Sequence, residues 1–312
     1  MPSGAAKHTL PARRVALMNQ KGGVGKTTTT VNLAAALARA GRPTLVVDLD
    51  PQAHATLHLG VDPAALERSL YDVLVSEEVA PALVLHEAEK NLALLPAHTD
   101  LAAAEGELAQ SPDRNQRLSR ALERMEGLFR YVLIDCPPSL GTLTLNALAC
   151  ADEVLIPMQS HFLALQGVGK LLETVGAVRQ SLNPRLAVTG VVLCAHDPSS
   201  AHAREVVADL ESFFAQSRDA GQPWSDAGVL RPPVRRNIKL AECPSFGKTI
   251  FAYAPQAPGA EDYAALAAGL MKTWDAHDRE RAAPPVHTPA SRATTNSPAT
   301  APAAAPASRA AS

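Results

Sequence analysis

Short apolar runs alternate with amphipathic stretches along most of the chain. VALM (15–18), TLVVDLD (44–50), NLALLPA (91–97), YVLID (131–135), EVLIPM (153–158) and LAVTGVVLC (186–194) read as strands. They are aliphatic and β-branched, and too short for buried helices. Helical spacing predicts helices over 26–40, 112–125, 167–181, 202–215 and 261–274, with Gly41 ending the first. Apolar strands alternating with helices imply a doubly wound α/β fold, a mainly parallel sheet with helices on both faces. Ligands of such sheets bind at the carboxyl ends of the strands.

The pattern lapses at both ends. Residues 1–12 read as a flexible arm, 13–278 as one globular unit, and 279–312 as a disordered tail. The tail is Ala, Pro, Ser and Thr with scattered Arg, and no helical period runs through it. The 312 residues, 46% hydrophobic, suffice for one α/β domain of roughly 250 residues. A net charge of −2 excludes a whole-molecule attraction to nucleic acid, so a polyanion site has to be a local patch. Cys136, Cys150, Cys194 and Cys243 form no CxxC pair and read as reduced thiols packed as small apolar residues. No signal peptide and no membrane span is legible, which leads us to expect a soluble cytoplasmic protein.

The chemistry concentrates after the first strand. Lys21-Gly22-Gly23-Val24-Gly25-Lys26-Thr27-Thr28 leaves that strand and opens the first helix, the context of a phosphate loop. The glycines allow close approach of backbone amides, and the helix N-terminus adds partial positive charge. Lys26 is expected to reach the β- and γ-phosphates of a nucleoside triphosphate, Thr27 to ligate Mg²⁺, and Thr28 to reach the α-phosphate. Asp135 ends its strand where a Walker B acid holds Mg²⁺ through water. Asp48 and Asp50 share one face of the second strand. Asp50, nearer the carboxyl end, is the better candidate to position the attacking water, and Asp48 to support the loop. His54, His58, His98 and His161 are not spaced as a metal site and read as surface or satisfied histidines.

KGGVGKTT with DLDPQ (48–52) and DCPPS (135–139) resembles the deviant Walker A ATPases. Within that group the chain is similar to the ParA/Soj partition ATPases over roughly 13–273. LLPAHTDLAAAEGEL (94–108), FLALQGV (162–168) and RRNIKLAECPSFGKTI (235–250) carry the likeness further. The resemblance implies an ATPase with ATP and Mg²⁺ as cofactors, in which a homodimer forms on ATP binding. It makes Lys21 the lysine that reaches the partner's nucleotide, Asp50 the catalytic aspartate, and the segment around Asn237 the adenine contact. It further implies ATP-dependent binding of double-stranded DNA without sequence preference, nucleoid association, and hydrolysis stimulated by a ParB-like protein.

Arg231, Arg235, Arg236 and Lys239 form a run with no acid before Glu242, suited to salt-sensitive phosphate contacts or else a solvated basic face. Lys239 stands where the family has a DNA-contacting arginine. Arg235 stands where the family usually has Pro, 196–202 lacks an arginine common in Soj, His161 replaces a frequent Glu, and Ala53-His54 a frequent Gly-Asn. Competing readings are a related positioning ATPase for non-DNA cargo, a MinD-like membrane-cycling ATPase, and a reductase-type iron protein. The tail lacks the amphipathic helix of MinD-type proteins, and the cysteines lack a cluster context.

Overall fold

The computed structural model describes residues 10–160, 164–218 and 221–282. The chain divides into two units, Met1–Trp274 and Asp275–Ser312. In the first, eight strands form one sheet: β1 (Arg13–Leu17), β2 (Thr44–Asp48), β3 (His86–Glu89), β4 (Leu92–Leu95), β5 (Tyr131–Asp135), β6 (Glu153–Met158), β7 (Ala187–Leu193) and β8 (Gly228–Val229). Their order is β3-β4-β2-β5-β1-β6-β7-β8, and every pairing is parallel except β3 with β4. This is the expected mainly parallel α/β sheet.

Eleven α-helices lie among the described residues. The first five are α1 (Lys26–Arg39), α2 (His54–His58), α3 (Leu70–Val75), α4 (Leu101–Leu108) and α5 (Arg117–Glu123). They are followed by α6 (Thr142–Cys150), α7 (Ala164–Ser181), α8 (Ala201–Gln216), α9 (Ile238–Glu242), α10 (Ile250–Tyr253) and α11 (Pro258–Ala282).

Strand alternation sorts the core into two layers. Val15, Leu17, Val46, Tyr131, Leu133 and Leu155 pack with α1 and the buried side of α11. Ala16, Leu45, Val47, Ile134 and Ile156 pack with α3 to α8 on the other face. Both faces of the central strands are therefore buried, which is why Val15–Leu17, Leu45–Val47 and Val132–Ile134 are apolar without alternation.

The sequence reading did not foresee helices α2, α3, α4, α6, α9 and α10 or strand β8, and other elements differ from it in their bounds. The helix expected at 112–125 begins only at Arg117, because 111–116 is taken up by turns: Arg114 N donates to Ser111 O at 3.2 Å and Gln116 N to Asp113 O at 2.8 Å. The Ser111 hydroxyl also bonds the Asp113 carboxylate, competing locally with helix. Helix α11 continues to Ala282, beyond the boundary at 278. Strand β3 is an addition: HEAE lies at the sheet edge with no buried position, so no apolar pattern announces it. Most of the expected arm, residue 161, and the tail beyond 282 lie outside the described residues.

Candidate functional site

Central strands β1, β2 and β5 end side by side. In the parallel register Leu17 pairs with Asp135, and Asp135 with Asp48. The loop 21–28 leaves β1 at this edge, and α1 starts directly from it. Gly23 (φ 70°) and Gly25 (φ 97°) take left-handed backbone angles that favour glycine. Gly25 is also closely covered: a Cβ there would lie 3.0 Å from the Cβ of Cys194.

Two side-chain amides brace the loop, one after its own strand β1 and one after the neighbouring strand β6. Asn19 Nδ2 donates to the Pro157 carbonyl at 2.9 Å, and its Oδ1 accepts from Lys21 N at 3.0 Å. Gln159 Nε2 donates to Gly23 O at 3.0 Å. The sequence reading missed both. Their legible signal was position, at the ends of adjacent strands β1 and β6.

Lys26 is buried at the start of α1, and its ammonium donates to the Lys21 carbonyl at 3.2 Å. Thr27 Oγ1 donates to Asp135 Oδ2 at 2.7 Å, and Thr30 Oγ1 to Asp135 Oδ1 at 2.8 Å. Burial pushes the Asp135 carboxyl up to about 6 despite these two hydroxyls and the Lys26 charge. Asp48 is pushed up to about 8, first by burial and then by the charge of Asp135.

The two acids of β2 have separate surroundings. Asp48 Oδ2 accepts from Thr56 N at 2.8 Å and Thr56 Oγ1 at 2.7 Å, and Oδ1 accepts from Asp50 N at 3.3 Å. It ties α2 and the Asp50 backbone to the strand end. Asp50 lies on the wall of a cavity of about 1360 Å³, where its Oδ1 accepts from Gln52 N at 3.0 Å. Lys26, Thr27, Thr28, Arg235, Arg236 and Asn237 line the same cavity. Lys21, Val24 and Lys239 lie off that wall, with Lys21 and Lys239 exposed. Asn237 caps α9, its Oδ1 accepting from Lys239 N at 2.8 Å. Amides, a buried lysine and a hydroxyl at a helix N-terminus suit a polyphosphate anion.

A family model described as an AAA domain matches residues 12–188. The chromosome partitioning protein ParA of Myxococcus xanthus is 43% identical over 261 residues, spanning 83% of this chain and 88% of that one. This chain belongs to the ParA/Soj family. The sporulation initiation inhibitor protein Soj of Bacillus subtilis is also 43% identical over 253 residues, 81% of this chain and 96% of its own. A crystal structure described as cobyrinic acid a,c-diamide synthase from Mycobacterium smegmatis, with bound ATP analog and magnesium, superposes with a TM-score of 0.72. It is 38% identical and covers 85% of this chain and 97% of that one.

In this ParA/Soj chain the basic run is met by acids, some distant in sequence and one, Glu242, adjoining it. Arg235 Nε donates to Asp262 Oδ1 at 3.0 Å, and its Nη2 pairs with Glu261 at 3.1 Å. Arg231 pairs with Glu211 at 2.5 Å. Lys239 Nζ pairs with Glu242 at 2.8 Å, which raises the ammonium's pKa and lowers that of the carboxyl. Arg236 is exposed at the cavity wall. All four cysteines are buried and unpaired. His58 is buried, its Nε2 3.4 Å from Cys243 Sγ, and burial holds its pKa down at about 4.

Proposed function

We propose that this chain is a DNA-segregation ATPase of ParA/Soj type. Two copies close on two ATP molecules, and Lys21 of each reaches the nucleotide of the other. The closed dimer binds duplex DNA without sequence preference, and a ParB-like protein stimulates the hydrolysis that releases it. The protein then works in the cytoplasm, held on nucleoid DNA.

The observation that carries this reading is the sharing of one cavity by the glycine-rich loop, Lys26, Thr27, Asp50 and the basic segment at 235–237. Lys26 and the loop amides bind the phosphates, and Asn237 lies where the base would be held. Thr27 and Asp135 would hold Mg²⁺, the carboxylate through water. The donor set fits such an ion: a hydroxyl 2.7 Å from a buried carboxylate, with Asp48 beside it in register and Lys26 as the cation acting on Asp135. When bound, Mg²⁺ neutralises phosphate charge. Asp50 orients a water whose oxygen bonds the γ-phosphorus as the bond to the bridging oxygen breaks.

ATPase activity measured with and without random-sequence duplex DNA, and with a candidate ParB-like protein, tests the reading. Weak basal turnover rising when both are added supports it. Turnover indifferent to both overturns the partition role while leaving nucleotide binding intact.

A further inference from the structure

Asn32 is fully buried on α1, one turn beyond Thr28. Its Nδ2 donates to the Thr28 carbonyl at 2.9 Å, and its Oδ1 accepts from the Ile250 amide at 2.7 Å. Asparagine is a poor helix former and costly to bury unless its polar atoms are satisfied. Its neighbours Val31, Leu33 and Ala34 are all fully buried apolar residues, so the site asks for another of that kind. The amide is used instead as a rigid planar link between the loop's helix and the first amide of α10.

Helix α10 continues the link. Tyr253, at its end, donates from its hydroxyl to Glu242 Oε2 at 2.8 Å. The same carboxylate oxygen accepts from Lys239 Nζ at 2.8 Å, and that ammonium lies 5.7 Å from the centre of the Tyr253 ring. The Phe246 ring stacks on Tyr253 with centroids 4.9 Å apart. Thr28 and Lys239 are thus joined by an unbroken series: a carbonyl, one amide side chain, one four-residue helix, a phenol and a carboxylate.

We propose that Asn32 is a positioning residue that makes Lys239 answer to the nucleotide. The inference rests on the proposed function, which puts phosphates at Thr28 and DNA at Lys239. Glu242 competes with a DNA phosphate for the Lys239 ammonium, so whatever shifts Tyr253 shifts that competition. Phosphate contacts at the start of α1 set the first turn, to which the Thr28 carbonyl belongs. The Asn32 amide carries a change there to Ile250 and so to Tyr253. Such a contiguous series supplies a route for coupling between two sites.

The test uses Asn32→Ser in the full chain. A serine hydroxyl in a helix donates to the carbonyl four residues back, so it keeps the Thr28 bond, but it is too short to accept from Ile250. Two quantities are compared in wild type and variant with a non-hydrolysable ATP analogue: hydrogen exchange of residues 250–253, and affinity for random-sequence duplex DNA. In wild type the analogue should change exchange at 250–253 and raise DNA affinity. In Asn32→Ser, analogue affinity should stay within about threefold, the exchange response should vanish, and the rise in DNA affinity should shrink on the order of tenfold, a typical coupling size. Tyr253→Phe, which keeps the ring and removes the donor to Glu242, should lose the DNA response and keep the exchange response. A wild-type exchange response absent, or preserved in Asn32→Ser, overturns the inference. Wild type that shows the exchange response without binding DNA overturns the partition reading and leaves the exchange comparison to judge Asn32.

Discussion

Replacing Asp48 by asparagine tests the electrostatics of the strand-end carboxylates. Asp48 is fully buried, its register neighbour is Asp135, and its pKa stands at about 8 against 3.8 for an ordinary aspartate. Between those values the folded protein holds a proton that the unfolded chain has released. The unfolded state then binds fewer protons, so stability falls as pH rises through this window. From pH 6 to pH 8 the loss due to Asp48 is about 2 kcal/mol, at 1.36 kcal/mol per unit and tapering near the upper end.

His58 acts in the opposite direction. Its folded pKa of about 4 lies below the ordinary 6.5, so its contribution grows as pH rises toward neutrality. Wild type and variant share that term. The carboxamide introduced at position 48 does not titrate, so its altered hydrogen bonding is independent of pH. The difference between the two proteins therefore reports Asp48 together with its interaction with Asp135. Urea unfolding followed by circular dichroism at pH 6, 7 and 8 measures it. The stability of Asp48→Asn relative to wild type should rise by about 2 kcal/mol across the series. A difference that stays constant with pH would mean that Asp48 is ionised throughout and that burial does not hold its proton.

Lys26→Ala should weaken ATP binding on the order of a hundredfold in an equilibrium titration, since the buried ammonium is the loop's charge-assisted donor. Asp50→Ala should keep ATP affinity, lower kcat by roughly 10²- to 10⁴-fold and hold the dimer closed, as read by steady-state kinetics and light scattering. Arg236→Ala should flatten the log–log salt dependence of DNA binding by about 0.9. Arg235→Ala and Lys239→Ala should each flatten it less, because Asp262 and Glu261 hold the guanidinium and Glu242 holds the ammonium. Gly247→Ala should lower stability by about 1–3 kcal/mol in thermal melts: the residue has φ +60°, and a Cβ there would sit 2.7 Å from Gly60 Cα.

How much could be read from the sequence depended on how much of each element's environment the sequence contains. Strands β1, β2 and β5 are buried on both faces, so the unbroken apolar stretches Val15–Leu17, Leu45–Val47 and Val132–Ile134 mark them without help from the rest of the fold. The loop 21–28 was legible for the same reason: its glycines, lysines and hydroxyls lie within eight consecutive residues. Strand β8 has two residues and β3 no buried one, so each exists only because a neighbouring strand is there to pair with. Electrostatics fared worst. From 231 to 241 the chain has four basic residues and no acid, yet Asp262 and Glu261 lie more than twenty positions away in sequence and at hydrogen-bonding distance in space.

A charge run states which cations are present and leaves open which are already spent, and only the fold supplies the second fact. A more dependable sign was a polar residue inside an apolar run. Asn32 in VNLAA, Asp48 in LVVDL and Asp135 in VLIDC are each buried at a cost that only specific hydrogen bonds offset. Each has those bonds: Asn32 with Thr28 and Ile250, Asp48 with Thr56 and Asp50, Asp135 with Thr27 and Thr30. All three connect a strand end or the first helix to a segment that lines the cavity or leads away from it. Burial against intrinsic preference therefore points to the site's connections more directly than exposed charge does.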